Sequence, residues 1–290
     1  MTRRGALLFA AMCVIWGIPY LMIRVAVREL APVTMVFLRT GIAAALLVPL
    51  ATRRGELRPL VGHWRPLLAY TAIEVALPWL LLGRAETKLT SSLTGLLIAA
   101  VPLVGALIVT LSGEGARLGL RRWLGLLVGI VGVGAIVGLD VGQIDLVALG
   151  EVALVAVCYA VGPLILARRM GGLPALGIVA ASLALSALVY APLAATNWPS
   201  TFPSAHVVES VVGLAVVCSA AAFLIFFALI REVGPLRATV ITYVNPAVAA
   251  VLGVTLLNER LTVGMVMGFS LVLVGSVLAT GGTPEAVAEP

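Results

Sequence analysis

Two ionisable side chains stand inside apolar runs long enough to cross a bilayer: Glu74 in YTAIEVALPW and Arg39 in VFLRTGIAA. Charges at that depth are costly and are kept where they pair, titrate or meet a ligand. Two kinds of chemistry follow. Either Arg39 and Glu74 form a buried ion pair, or Glu74 lines a cavity and takes up and releases a proton as the site changes sides. Aromatic residues form a second set: Trp16, Tyr20, Trp79, Tyr159, Phe223 and Tyr243 fall at depth in five apolar runs. As cavity walls they would hold an apolar or cationic ligand by stacking and cation–π contact; otherwise they pack against lipid or other helices. Thr242 and Asn245, three apart, share a helix face and would either orient a ligand or hydrogen-bond between helices. Asn245 is followed by Pro246 within TYVNPAVAAVLGVTLLNER. That proline removes a backbone donor, and the amide beside it needs a partner in hydrocarbon.

The remaining polar residues suggest less. Arg24 is placed to snorkel toward an interface, and Glu151 to sit near the positive end of a helix. Glu259 and Arg260 read as loop or capping residues. His63 and His206 are isolated, and Cys13, Cys158 and Cys218 lie inside apolar runs without metal or disulfide spacing. No metal and no cofactor is expected.

The elements that carry these residues are set by composition. Of 290 residues, 61% are hydrophobic and 11% charged, against roughly 25% charged in soluble domains. Apolar runs of membrane-spanning length recur along the whole chain, the signature of an all-α polytopic membrane protein. The first run lacks a small-residue cleavage site and reads as a retained helix. Ten spans are expected near 6–27, 33–51, 66–83, 90–111, 122–139, 147–167, 173–195, 207–230, 235–257 and 263–281. Alternate loops hold 13 and 4 Lys or Arg, the smaller set being Arg28, Arg84, Lys88 and Arg260. The positive-inside rule then puts both termini in the cytoplasm, which an even number of spans permits. The net charge of +6 is dispersed over short loops, so nucleic acid is not an expected partner.

The chain also repeats itself. A shift of 144 lays Trp79 on Phe223 and Pro102 on Pro246, and a shift of 143 lays Trp16 on Tyr159 and Gly125 and Gly132 on Gly268 and Gly275. The units are 1–140 and 141–282, with a short tail at 283–290. Five spans per unit is an odd number, so the two copies must point in opposite directions, an inverted-topology repeat with its ligand site at the interface. Bends at Pro102 and Pro246, in spans four and nine, are expected to open toward a shared central cavity. Glu114 stands one residue out of step with Glu259.

The stretches WGIPYLMIRVAVRELAPVTMVFLRTGIAAALLVP and LIREVGPLRATVITYVNPAVAAVLGVTLLNERLT resemble EamA-type transporters of the drug/metabolite transporter superfamily. GEVALVAVCYA at the start of span six adds to the resemblance. It implies ten helices in two repeats, with spans five and ten apart from the cavity, and transport of small metabolites or amphiphilic compounds. The Glu-Arg-Leu-Thr run after span nine carries part of the resemblance, and the first-half copy LSGEGARL lacks it.

The function expected is secondary active transport across a bacterial cytoplasmic membrane by alternating access. The cargo is a neutral or zwitterionic metabolite, amino-acid-like, or an amphiphilic cation, because Arg39 is the only well-buried base available to a phosphate. An exporter is favoured, with protons as a possible second partner, in a monomer or homodimer. The rivals are a membrane-embedded enzyme, for which no nucleophile and base come together in sequence, and a channel without alternating access.

Overall fold

The computed structural model describes residues 2–111, 120–138 and 145–280. Among these residues there is no strand, and ten helical segments carry the chain back and forth. They are α1 (Arg3–Ala26), α2 (Pro32–Arg53), α3 (Arg58–Ala85), α4 (Ser91–Leu111), α5 (Leu120–Gly138), α6 (Leu146–Arg169), α7 (Ala175–Thr196), α8 (Ala205–Val233), α9 (Ile241–Leu257) and α10 (Val263–Thr280). All but α9 have the length and apolarity of a membrane span, and α9 is a shorter apolar helix of 17 residues. The connection between α4 and α5, including Glu114, and the tail lie outside the described residues.

Local chemistry explains where the elements depart from the expected boundaries. A 3₁₀ turn, Arg58–His63, opens with Pro59 and draws α3 back several residues before its apolar run. Span nine starts later than expected. Gly234 takes φ 83° after α8, a conformation that suits glycine, one helical turn follows over Pro235–Ala238, and the chain turns again before α9. The prolines act unequally. Pro102 lies just beyond a break at Ala99–Ala100, whereas α9 runs unbroken through the buried Pro246. The expected matching bends are therefore replaced by one break in α4 and a late start in α9.

Helix packing reveals the symmetry. The main partnerships are α5 with α10, α2 with α7, α4 with α9, α3 with α6, and α1 with α8. If each helix is exchanged with the one five places along, the first three pairs map onto themselves and the last two onto each other. A pseudo-two-fold axis does this, and five spans per unit make it an inverted repeat. The α5/α10 crossing repeats the relation in detail. A Cβ on Gly125 would come within 2.7 Å of Gly275 O, and one on Gly268 within 2.5 Å of Gly132 O. Gly268 is the mate of Gly125, and Gly132 the mate of Gly275, so the contacts are equivalent. Glycine is needed where two helix backbones approach this closely.

Candidate substrate and proton site

The first site is built on two short π-helical segments, Thr71–Ala76 in α3 and Val216–Ala221 in α8. They are 145 residues apart and occupy corresponding places in the two repeats. A π turn slips the backbone ladder and needs new partners for its carbonyls, which is one reason such turns gather at functional sites. Tyr190 Oη donates to Ala76 O at 3.0 Å, and Ser219 Oγ to Leu214 O at 2.8 Å. Each segment also bonds across the repeat boundary. Arg39 Nε of α2 donates to Ser219 Oγ at 3.0 Å, and Thr71 Oγ1 of α3 to Ser182 Oγ of α7 at 3.0 Å. Arg39 and Ser182 are themselves mates at the 143-residue shift, so the two bonds join corresponding pairs of helices, although Thr71 and Ser219 sit at different places in their π segments.

Arg39 is 5% exposed and its Cζ lies 3.5 Å from the centroid of the Trp79 ring. With no counter-ion among the described residues, the guanidinium is held by stacking on an indole and one neutral hydrogen bond. Glu74 does not supply one: the expected Arg39–Glu74 ion pair is not formed. The two side chains turn to different helices. Glu74 rises from the π segment against Gly162 of α6, where any Cβ would collide with its carboxylate, and its Oε2 is buried without a hydrogen-bond partner. The sequence marked Arg39 and Glu74 by charge, but Ser219 and Gly162 carried no such mark.

Most of the aromatic residues singled out from sequence come together by packing. Tyr20 and Trp79 are buried in one cluster, with Tyr159 and Phe223 packed against it. Trp16 extends this packing, meeting Phe223 edge-on at 6.0 Å and Phe226 at 4.7 Å. Tyr243 is placed elsewhere, its hydroxyl 3.2 Å from Thr280 Oγ1 of α10.

Thr242 donates to Thr239 O. Asn245 answers to a gap in α1. That helix breaks at Trp16–Gly17, where Gly17 N bonds to Val14 O and leaves Cys13 O without its usual donor. With its amide oriented by its neighbours, Asn245 donates to Cys13 O and to Ile241 O, both at 3.0 Å. Tyr243 and Asn245 thus bond to other helices, the alternative weighed for Asn245 from sequence, whereas the Thr242 bond stays within its own stretch of chain.

A second polar cluster lies where α3 turns into α4. Glu259, just after α9, accepts from Ser91 N and Ser92 N at 2.8 Å each and from both serine hydroxyls, so it caps α4 from the other repeat. Asn258 in the left-handed region and a Glu259 N–Gly253 O bond of 3.1 Å aim it there. Arg24 donates to the backbone carbonyl of Glu86, and Glu151 pairs with Arg84 at 2.7 Å. Glu86 is fully buried, and sequence reasoning passed over it because it stands in a polar turn beside Thr87 and Lys88. Burial, with Glu259 nearby, pushes its carboxyl well above the usual carboxylate range. Among the described residues no group of three His, Cys, Asp or Glu is arranged to hold a metal ion.

Ten spans related by an inverted repeat, with charged and aromatic groups at their interface, define a membrane transporter architecture. The comparisons agree with it. The model of the EamA-like transporter family matches residues 3–138 and again 148–281, and the chain belongs to that family. It is 29% identical over 288 residues to the uncharacterized inner membrane transporter YedA of Escherichia coli strain K12, covering 94% of this chain and 89% of YedA. The YedA proteins of Escherichia coli O6:H1 and O157:H7 match equally. A solved crystal structure 20% identical in sequence has the same fold, with a TM-score of 0.68 over 95% of this chain and 97% of the other.

Proposed function

We propose that this transporter moves a small zwitterionic or neutral metabolite, amino-acid-like, or an amphiphilic cation, across the cytoplasmic membrane by alternating access. It acts as an exporter coupled to protons, with both termini in the cytoplasm and the five-span units 1–140 and 141–282 rocking about the site between them. The observation that carries this reading is the unpartnered Glu74 carboxylate oxygen within the π segment of α3. An intramembrane acid without a structural partner suits a group that binds a proton or a ligand ammonium in turn. Arg39, with only Nε engaged and Trp79 beneath it, supplies the complementary donor for a ligand carboxylate. Tyr20, Tyr159, Phe223 and Trp16 supply the apolar wall.

The test begins with thermal-shift screening of the purified protein against amino acids, other metabolites and lipophilic cations. A stabilising compound is then followed by counterflow in proteoliposomes. Trans-stimulated uptake is expected of a carrier and is absent from a channel. In Glu74→Gln, counterflow should lose its dependence on pH. Wild-type rates with wild-type pH dependence in that variant would remove Glu74 from the coupling.

A further inference from the structure

We propose that Glu86 and Glu259 form a proton-operated latch between the two repeats, a proton site separate from Glu74. The argument starts from the burial of Glu86, which is 0% exposed with no hydrogen-bond partner on either carboxylate oxygen. An ionised carboxylate in that state would lack both water and donors, so the closed arrangement holds the acid neutral.

The groups facing it come from every neighbouring element. Arg24 of α1 lies closest among the bases but gives its hydrogen bond to the Glu86 backbone carbonyl. Arg39 of α2 acts from further away, and Tyr20 of α1 is also near. From the end of α9 comes Glu259, whose charge opposes ionisation of Glu86. At the start of α4, Ser91 and Ser92 are turned to Glu259. At the end of α3, Arg84 is drawn off to Glu151 of α6, and Lys88, in the turn after α3, is exposed.

The two carboxyls are thus unlike. Glu259 takes hydrogen bonds from two backbone amides and two hydroxyls at a helix start, an environment made for a carboxylate. Glu86 takes none. One anion and one neutral acid can share this space; two anions cannot remain there without water. Opening the α4–α9 contact would hydrate Glu86 and release its proton, and closing it would require the proton back. The sign follows: protonation favours the closed latch, and rising pH favours the open one. Glu86 and the α4 start belong to the first repeat and Glu259 to the second, so a rocking of the repeats that opens the α4–α9 contact parts them. The latch takes its purpose from the alternating-access reading, but its response to protons stands independently of that reading.

The test uses the full chain in nanodiscs, with Cys13, Cys158 and Cys218 replaced by alanine and spin labels at Thr87→Cys and Leu261→Cys, both exposed positions beside the latch. Distances between the labels are measured by pulsed electron resonance from about pH 4 to about pH 9, bracketing the ordinary carboxylate value and a strongly raised one. A longer-distance population should grow with pH, the open-to-closed ratio rising by at most about tenfold per pH unit, the limit for one linked proton. Glu86→Gln should keep the short distance throughout. An unchanged pH response in Glu86→Gln, or a parental distance that does not move with pH, overturns the latch. The parental series decides alone should the variant not fold. If the latch responds while Glu74→Gln leaves transport unaltered, the coupling role of Glu74 fails and the latch remains.

Discussion

At the scale of single residues, the site depends on small side chains more than on the charges that announce it. Gly162 sets the position of Glu74: a methyl group there would occupy the space of the carboxylate. Gly162→Ala should therefore displace Glu74 and destabilise the protein by about 1–3 kcal/mol, the range for overpacking. Combining it with Glu74→Ala should recover most of that loss, a coupling that thermal unfolding of the two single variants and the double variant would read directly. Equal losses in the single and double backgrounds would mean that Gly162 meets something other than Glu74. Arg39 and Glu74 were legible in the sequence because a charge inside an apolar run is conspicuous. Ser219, Gly162 and Glu86 were not, since a serine or glycine in a span is ordinary and a glutamate in a polar turn reads as solvated. Their roles come from what α2, α3 and the end of α9 bring to them, and that is tertiary information.

At the scale of elements, the bundle repeatedly brings side chains to backbone groups at helix breaks, π segments and helix starts. Asn245 serves the break in α1, Tyr190 and Ser219 the two π segments, and Glu259 the start of α4. In a membrane such groups have no water to turn to, so each repair is a condition of keeping the irregularity. This also explains why Asn245 and Pro246 drew attention in the sequence for a reason that lies in another helix. Pro246 does not break α9; the irregular backbone is in α1, which Asn245 faces. The existence of ten spans could be read from hydropathy alone, while the π segments could not, because their residues are as apolar as any regular turn. Glu259→Ala should uncap α4 at a cost of about 1–2 kcal/mol, as for a lost N-cap. Hydrogen exchange should rise at the amides of Ser91 and Ser92, with α5 and α10 unaffected. Uniform exchange changes across all helices would mean that Glu259 supports the whole bundle and not the start of α4.

At the scale of the molecule, the pseudo-two-fold axis makes a prediction that no single contact makes. The α5/α10 crossing places Gly125 against Gly275 and Gly132 against Gly268, two contacts exchanged by the repeat. If the axis governs the packing, mates should be equally sensitive. Gly125→Ala should cost what Gly268→Ala costs, and Gly132→Ala what Gly275→Ala costs, each about 1–3 kcal/mol because backbone atoms cannot give way as side chains do. Pairs should fall short of additivity. Once one methyl has moved α5 away from α10, the second finds part of its space already open, so Gly125→Ala with Gly132→Ala should cost less than the two together by about 0.5 kcal/mol or more. Unfolding of the four single variants and this double in one detergent measures both relations. Unequal mates would mean that the two ends of the crossing are held by different surroundings. The fixed axis of the bundle would then have to be sought in the α2–α7 contact, where the repeats also meet.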